Sequence, residues 1–262
     1  LQTQEKLKTI LFEKHGKRTD NGKCAFCGKE LLPNTYCDCN AALKINRYFK
    51  RANKKIIEIE EQKILNADDF KKSYRVKIPR LFEGMTFDDY NINNPGKEEK
   101  SRVLGSVKTY YYNACLNYLQ GYNLLLLGKP GTGKTMLSSI LATLLADDCF
   151  NIQFVNIVDL FEEIKDTFNN TGKIRTKQYI DRYKCADFLF IDDIDKKKTP
   201  TDYIKEVLYS IFNYRVENQL PSVISANSDL ANLDKIFDEV IISRLVHNAT
   251  VVMFTHGNER LK

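Results

Sequence analysis

The chain has 262 residues, 43% of them hydrophobic and 28% charged, with a formal net charge of +6, a composition that suits a globular protein with a packed core. No apolar run approaches the roughly 18 to 20 residues of a membrane-spanning helix, and the first residues lack the layout of a secretory signal, so the expected compartment is the cytoplasm. Seven cysteines, an odd number, suit a reduced chain better than a disulfide framework.

The positive excess is confined to the first quarter. Residues 1–73 hold 16 Lys/Arg against 10 Asp/Glu, and residues 74–262 hold 24 of each. Such asymmetry points the N-terminal part towards an acidic partner. Four cysteines cluster there in "CAFCGKELLPNTYCDC": Cys24, Cys27, Cys37 and Cys39. The spacing, Cys-x-x-Cys then Cys-x-Cys, fits four thiolates around a structural Zn²⁺, with a disulfide pair as the alternative and His15 as a substitute ligand. A module this small lacks a sufficient core and gains most from such a staple. Cys115, Cys149 and Cys185 sit among apolar residues and read as buried thiols.

A helix follows the cysteines. Ile45, Tyr48, Phe49, Ala52, Ile56 and Ile59 form one apolar stripe, flanked by Lys44, Arg47, Lys50, Arg51, Lys54 and Lys55. A helix apolar on one side and basic on the other suits docking to a protein or to nucleic acid. The expected organisation is a zinc-binding domain at 1–67, a linker and lead-in segment at 68–84, and a larger domain at 85–262.

The larger part alternates strand-like and helix-like runs. "YNLLLLG", "NIQFVNI", "DFLFIDD", "PSVISAN" and "ATVVMFT" read as strands. "GKTMLSSILATLLADD", "VDLFEEIKDTFNN", "TKQYIDRYKCA", "PTDYIKEVLYSIFNYRVENQ" and "LDKIFDEVIISRLV" read as helices. This alternation, with nearly continuous apolar strands, predicts an α/β fold: a parallel sheet covered on both faces by helices.

"GKPGTGKT" (128–135) satisfies Gly-x-x-x-x-Gly-Lys-[Ser/Thr] and lies between a predicted strand and a predicted helix. Gly128, Gly131 and Gly133 allow backbone N–H groups to wrap phosphates, and the helix adds the positive end of its dipole. Gly128, Lys129, Pro130, Gly131, Thr132, Gly133, Lys134, Thr135 and Met136 are therefore the expected phosphate-binding set, with Lys134 reaching the β- and γ-phosphates of ATP and Thr135 holding Mg²⁺. "FLFIDD" brings Asp192 and Asp193 to the end of a buried strand. Asp192 is expected to help hold Mg²⁺ and Asp193 to orient an attacking water, with a surface acidic turn as the alternative.

The order of these motifs resembles the AAA+ ATPases. That resemblance implies a polar sensor at Asn227, after the strand "PSVISAN", and an arginine finger at Arg244 in "IISRLVHN", which would reach the ATP of a neighbouring subunit. The lead-in "KIPRLFEGMTFDDY", through Ile78, Pro79, Phe82, Phe87 and Tyr90, is similar to that of the bacterial and phage helicase loaders of the DnaC/DnaI family and the related IstB-type ATPases. The resemblance covers 77 to the end. It implies an AAA+ domain without a C-terminal helical lid, an adenine pocket lined by the lead-in, and a second sensor at Arg260. It also implies slow ATP hydrolysis, self-assembly through the ATP site, and an N-terminal domain that grips a hexameric replicative helicase for delivery to single-stranded DNA.

Within 159–184, Lys165, Lys173, Arg175, Lys177, Arg182 and Lys184, with Phe161 and Phe168, are the candidate DNA contacts. Around Arg244 the box carries Val246 and His247, where the family commonly has more basic residues. The alternatives are a transposition helper ATPase of the IstB type and a nucleotide-binding adaptor with little hydrolysis.

Overall fold

A computed structural model of the chain describes residues 77–92, 96–148, 150–170, 180–196, 200–255 and 257, without the side chains of 166–170. Cys24, Cys27, Cys37, Cys39, His15, the basic helix, Cys149, Phe168, Lys173, Arg175, Lys177 and Arg260 therefore lie outside what is described. The larger compact unit takes in Val76–Tyr111 and Gln120–Lys262, and the smaller includes Tyr112–Leu119.

The elements in order are α1 (Lys97–Tyr112), α2 (Ala114–Gln120), β1 (Asn123–Gly128), α3 (Lys134–Asp147), β2 (Ile152–Asn156), α4 (Ile157–Asn170), β3 (Phe188–Asp192), α5 (Asp202–Glu217), β4 (Ser222–Ala226), α6 (Leu230–Ile236), α7 (Glu239–Val246) and β5 (Ala249–Phe254). Residues 180–185 are also helical. The five strands form one sheet in the order β2-β3-β4-β1-β5, with every pair parallel.

The strands follow from their side chains. β3 and β4 are buried at every position, and β1 at all but its terminal glycine, because helices cover both faces. Leu125, Leu127, Leu189, Ile191, Ile224 and Ala226 share one core with buried residues of α4, α5, α6 and α7. Alternate positions turn to the other face, where Phe188 takes edge contacts from Tyr110 of α1 and from Phe150, at 6.4 and 5.0 Å between ring centroids. The helix α3 packs across β2, β3 and β4.

Two helical assignments differ from the sequence reading. The run "LDKIFDEVIISRLV" is not one helix. It breaks at Phe237, which is extended and 2% exposed, and restarts at Asp238, whose carbonyl accepts from the Ile241 and Ile242 N–H groups. Burying the Phe237 ring in the core turns the chain, and apolar spacing that continues through the turn conceals it. The helices α1 and α2 have no counterpart in the sequence reading, since "KEEKSRVLGSVKTYYY" carries a mid-helix glycine and little sharp periodicity.

β1 lies centrally between β4 and β5, so the chain runs from β1 to the far edge at β2 and returns through β3 and β4. The C-terminal ends of β1, β3 and β4 thus lie side by side where strand order reverses, the place at which open α/β sheets bind ligands.

Candidate functional site

The loop after β1 is shaped by contacts that only glycine allows. Gly128 has φ 140°, and a Cβ there would lie 2.1 Å from the carbonyl oxygen of Phe254, its neighbour on β5. Gly133 has φ 90° and starts α3 with no side-chain cap. A Cβ on Gly133 would meet the Tyr90 ring at 2.7 Å. The N–H groups of the first turn of α3 are thus left without a capping side chain, the condition under which a helix start takes an anion.

Thr132 is fully buried and its hydroxyl donates to the Lys129 carbonyl at 2.8 Å, which pins the loop's curve. The Lys134 ammonium lies back over the loop and donates to the carbonyls of Gly128 and Lys129, at 2.7 Å each. Lys129 and Pro130 are exposed at the rim, and Gly131 (φ 78°) and Met136 are half-buried.

Strands β3 and β4 bring the acids to this loop. Asp192 is 5% exposed, and its two oxygens each accept from the Thr135 hydroxyl at 3.1 Å. The Ser225 hydroxyl, 1% exposed on β4, donates to Asp192 Oδ1 at 2.5 Å. The Asp193 N–H donates to the same Ser225 oxygen at 2.8 Å, and Asp193 takes the left-handed conformation, φ 53°. Its Oδ1 accepts from Asn227 Nδ2 at 3.0 Å. A third acid, Asp195, accepts from the Asn227 N–H at 2.9 Å and from the Ser228 hydroxyl. The expected residues Lys134, Thr135, Asp192, Asp193 and Asn227 therefore converge on one sheet edge.

Burial pushes the Asp192 carboxyl above its usual range, and the Asp193 charge adds to this, while hydrogen bonds from Ser225 and Thr135 and the Lys134 charge oppose it. A buried carboxylate beside a hydroxyl offers the oxygen ligands that a hard divalent cation takes. Among the described residues no three His, Cys, Asp or Glu side chains gather as a metal cage. A cation at this edge would rest on Thr135 and Asp192, with the remaining ligands from phosphate and water, as suits Mg²⁺.

The lead-in segment lies against the loop. Residues Arg80–Phe82 form a short 3₁₀ turn against α3. A second turn, Phe87–Asp89, is closed by a capping box in which the Thr86 N–H donates to Asp89 Oδ2 at 2.7 Å and the Asp88 N–H donates to Thr86 Oγ1 at 3.3 Å. That turn delivers Tyr90, whose hydroxyl donates to the Thr132 carbonyl at 3.4 Å.

Arg244 sits in the last turn of α7, where Nε donates to Asn213 Oδ1 of α5 at 3.0 Å, and Asn213 in turn donates to Glu217 at 2.8 Å. None of these partners belongs to the chain's own phosphate-loop site.

Several sequence expectations are corrected. Phe161 is no stacking platform: it is 1% exposed and part of the core. The stripe Ile157, Leu160, Phe161, Ile164 was the available signal. Arg182 is engaged with Glu163 and the Tyr183 hydroxyl, so its charge is already matched. Lys165 is exposed, and Lys184 is half-buried with its ammonium 5.9 Å from the Tyr214 ring centroid. Of the thiols, Cys115 is buried but Cys185 is exposed.

Four side chains that shape the site's surroundings carried no sequence motif. Ser225 and Asp195 are described above. Asn123 accepts from the Ser222 N–H at 2.7 Å and donates to the His247 carbonyl at 2.9 Å, closing the end of α7. Arg215, 1% exposed, donates to the Ser222 hydroxyl and to the carbonyls of Tyr183, Lys184, Ala186 and Pro221. It ties α5 to the chain that leads into β3.

The family model of IstB-like ATP binding proteins matches residues 52–262. The chain is 26% identical over 194 residues to the replicative helicase loader DnaC of Buchnera aphidicola subsp. Baizongia pistaciae (strain Bp), covering 71% of this chain and 76% of that protein. Its fold superposes on the crystal structure of the DnaC helicase loader with a TM-score of 0.57 at 19% identity, over 68% of this chain and all (100%) of that one. The crystal structure of the DnaI superposes with a TM-score of 0.54 at 22% identity, over 71% of this chain and 95% of that one.

Proposed function

The chain belongs to the family of IstB-like ATP binding proteins, and from that premise we propose that it is an ATP-dependent loader that binds a hexameric replicative DNA helicase and delivers it to single-stranded DNA. The observation that carries the reading is the meeting of Thr135, Asp192, Asp193 and Asn227 at the end of the phosphate loop, in a chain whose curated relatives are named replicative helicase loaders.

Gly128, Lys129, Pro130, Gly131, Thr132, Gly133, Lys134, Thr135 and Met136 bind the phosphates of ATP, with the uncapped start of α3 facing them. Thr135 and Asp192 would hold Mg²⁺, which when bound would supply positive charge against the phosphate oxygens. Asp193 and Asn227 orient a water for attack on the γ-phosphorus, and the bond to the β-phosphate oxygen breaks to leave ADP and phosphate. Lys134 stabilises the charge that develops, and Arg244 supplies the same service to a neighbouring copy. Arg260 is a second sensor of the γ-phosphate. The Asp193 carboxylate is one methylene shorter than a glutamate, which suits a slow switch better than a fast motor.

The N-terminal part carries the helicase contact through its basic, apolar-striped helix, stapled by Zn²⁺ at Cys24, Cys27, Cys37 and Cys39. Spacing alone supports that zinc site. The competing reading, a transposition helper ATPase, draws on the family's IstB name. Against it stand the loader names of the curated relatives, over 71% of this chain.

A loading assay tests the proposal. Single-stranded circles coated with single-strand binding protein are given the replicative helicase, ATP and this chain. Helicase activity that requires both the chain and ATP is expected. Equal activity without the chain would remove the reading.

A further inference from the structure

Ser225 carries two hydrogen bonds that hold both acids of the site at once. Its hydroxyl donates to Asp192 Oδ1 at 2.5 Å, and its oxygen accepts from the Asp193 N–H at 2.8 Å. A serine hydroxyl has one proton and two lone pairs, so this geometry spends its donor on the first acid and an acceptor on the second. The register places it there: Ile191 pairs with Ile224, and the next step sets Ser225 beside Asp192. The Ser225 carbonyl also accepts from the Ile194 N–H at 2.9 Å, so the turn after β3 is fixed to β4 by side chain and main chain together.

The consequence reaches each reacting position. With the Thr135 hydroxyl against both of its oxygens, Asp192 is oriented from α3 and from β4, which fixes the direction its oxygens present. Asp193 has φ 53°, a conformation that L side chains seldom adopt. The bond from its N–H to Ser225 holds it there and leaves its Oδ1 on Asn227. Ser225 is 1% exposed, so bulk water does not reach these hydrogen bonds.

We infer that Ser225 is a positioning residue for the metal-holding and water-orienting acids, setting the affinity of the site for Mg²⁺ through Asp192 and the rate of hydrolysis through Asp193. This rests on the ATPase reading above. Outer partners of metal ligands typically change metal affinity or activity by about 10–100-fold when lost.

The test uses the full chain. Binding of a fluorescent ATP analogue in EDTA, its Mg²⁺ titration, and steady-state ATP turnover are measured for wild type, Ser225→Ala and Ser225→Thr. For Ser225→Ala, half-saturation in Mg²⁺ is expected to rise about 10-fold or more and turnover to fall about 10–100-fold, with binding in EDTA within about 2-fold of wild type. Ser225→Thr keeps the hydroxyl and is expected to recover the Mg²⁺ half-saturation.

If Ser225→Ala does not fold, Ser225→Cys carries the same expectation, because a thiol is a weak donor and acceptor. Mg²⁺ half-saturation and turnover unchanged in the Ala or Cys variant would overturn the inference, as would an equal loss of binding in EDTA. Wild type with no Mg²⁺-dependent binding would instead overturn the ATPase reading.

Discussion

Thr135 and Asp192 meet across the gap between α3 and β3, with the threonine hydroxyl 3.1 Å from each carboxylate oxygen. The two residues are 57 positions apart in the chain, and α3, which packs across β2, β3 and β4, sets its first turn against the end of β3. If a cation is held here, this pair holds it. Thr135→Val keeps the side-chain shape and removes the oxygen. It is expected to raise the Mg²⁺ needed for half-maximal turnover by about 10–100-fold, and a Mg²⁺ titration of turnover checks this. An unchanged titration would leave Thr135 as a helix residue only.

Asp193 accepts from Asn227 and stands next to Asp192, the acid proposed to hold Mg²⁺. Asp193→Asn retains the size of the side chain and loses the charge. Nucleotide affinity is expected to stay within about 3-fold, while turnover falls by about 100-fold or more, in line with the loss of a group that orients the nucleophile. Stopped-flow binding and phosphate release measure the two separately. Parallel losses in both would assign Asp193 to nucleotide binding instead.

Arg244 is held by Asn213 and not by its own phosphate loop. If it serves a neighbour, Arg244→Ala is expected to abolish the rise of specific turnover with protein concentration. Mixing it with Lys134→Ala is expected to restore part of the activity, since one mixed interface pairs an intact loop with an intact arginine. Removal of a transition-state arginine typically costs about 10³-fold or more. Wild-type turnover in Arg244→Ala at every concentration would exclude the role.

Arg215 is a structural rather than a chemical bet. Its guanidinium reaches four main-chain carbonyls and the Ser222 hydroxyl in a buried position. Arg215→Met removes the guanidinium donors from these buried groups, of which the Pro221 carbonyl keeps the Leu189 N–H. The expected loss is about 3–5 kcal/mol of stability, because buried acceptors lose hydrogen bonds that water does not replace. Denaturant unfolding of the two proteins measures it.

Parts of this molecule are plain in the sequence, and the reason is local. A phosphate loop is a contiguous stretch, so the expectation for Gly128, Gly133, Lys134 and Thr135 can be formed without a fold. The strands "YNLLLLG" and "DFLFIDD" announce themselves because a parallel strand covered on both faces is an almost continuous apolar run. Asp192 and Asn227 follow from lying at the ends of such strands.

What escaped is what depends on neighbours distant in sequence. Ser225 is one of two serines in "SVISA", and only its register with Asp192 explains it. Arg215 reads as a surface residue of an amphipathic helix until the carbonyls of residues 183–186 arrive around it. Phe161 misled because an aromatic beside lysines fits both a core and a stacking surface. The break at Phe237–Asp238 left the apolar spacing intact, so periodicity could not reveal it.

The central claim is that the chain delivers a replicative helicase, and the most direct measurement is co-purification of the full chain with the replicative helicase of its host, with and without ATP. A stable complex is expected, which deletion of residues 1–67 abolishes while ATP binding by the remainder persists. No complex under either condition, with folded and ATP-binding protein on the column, would contradict it.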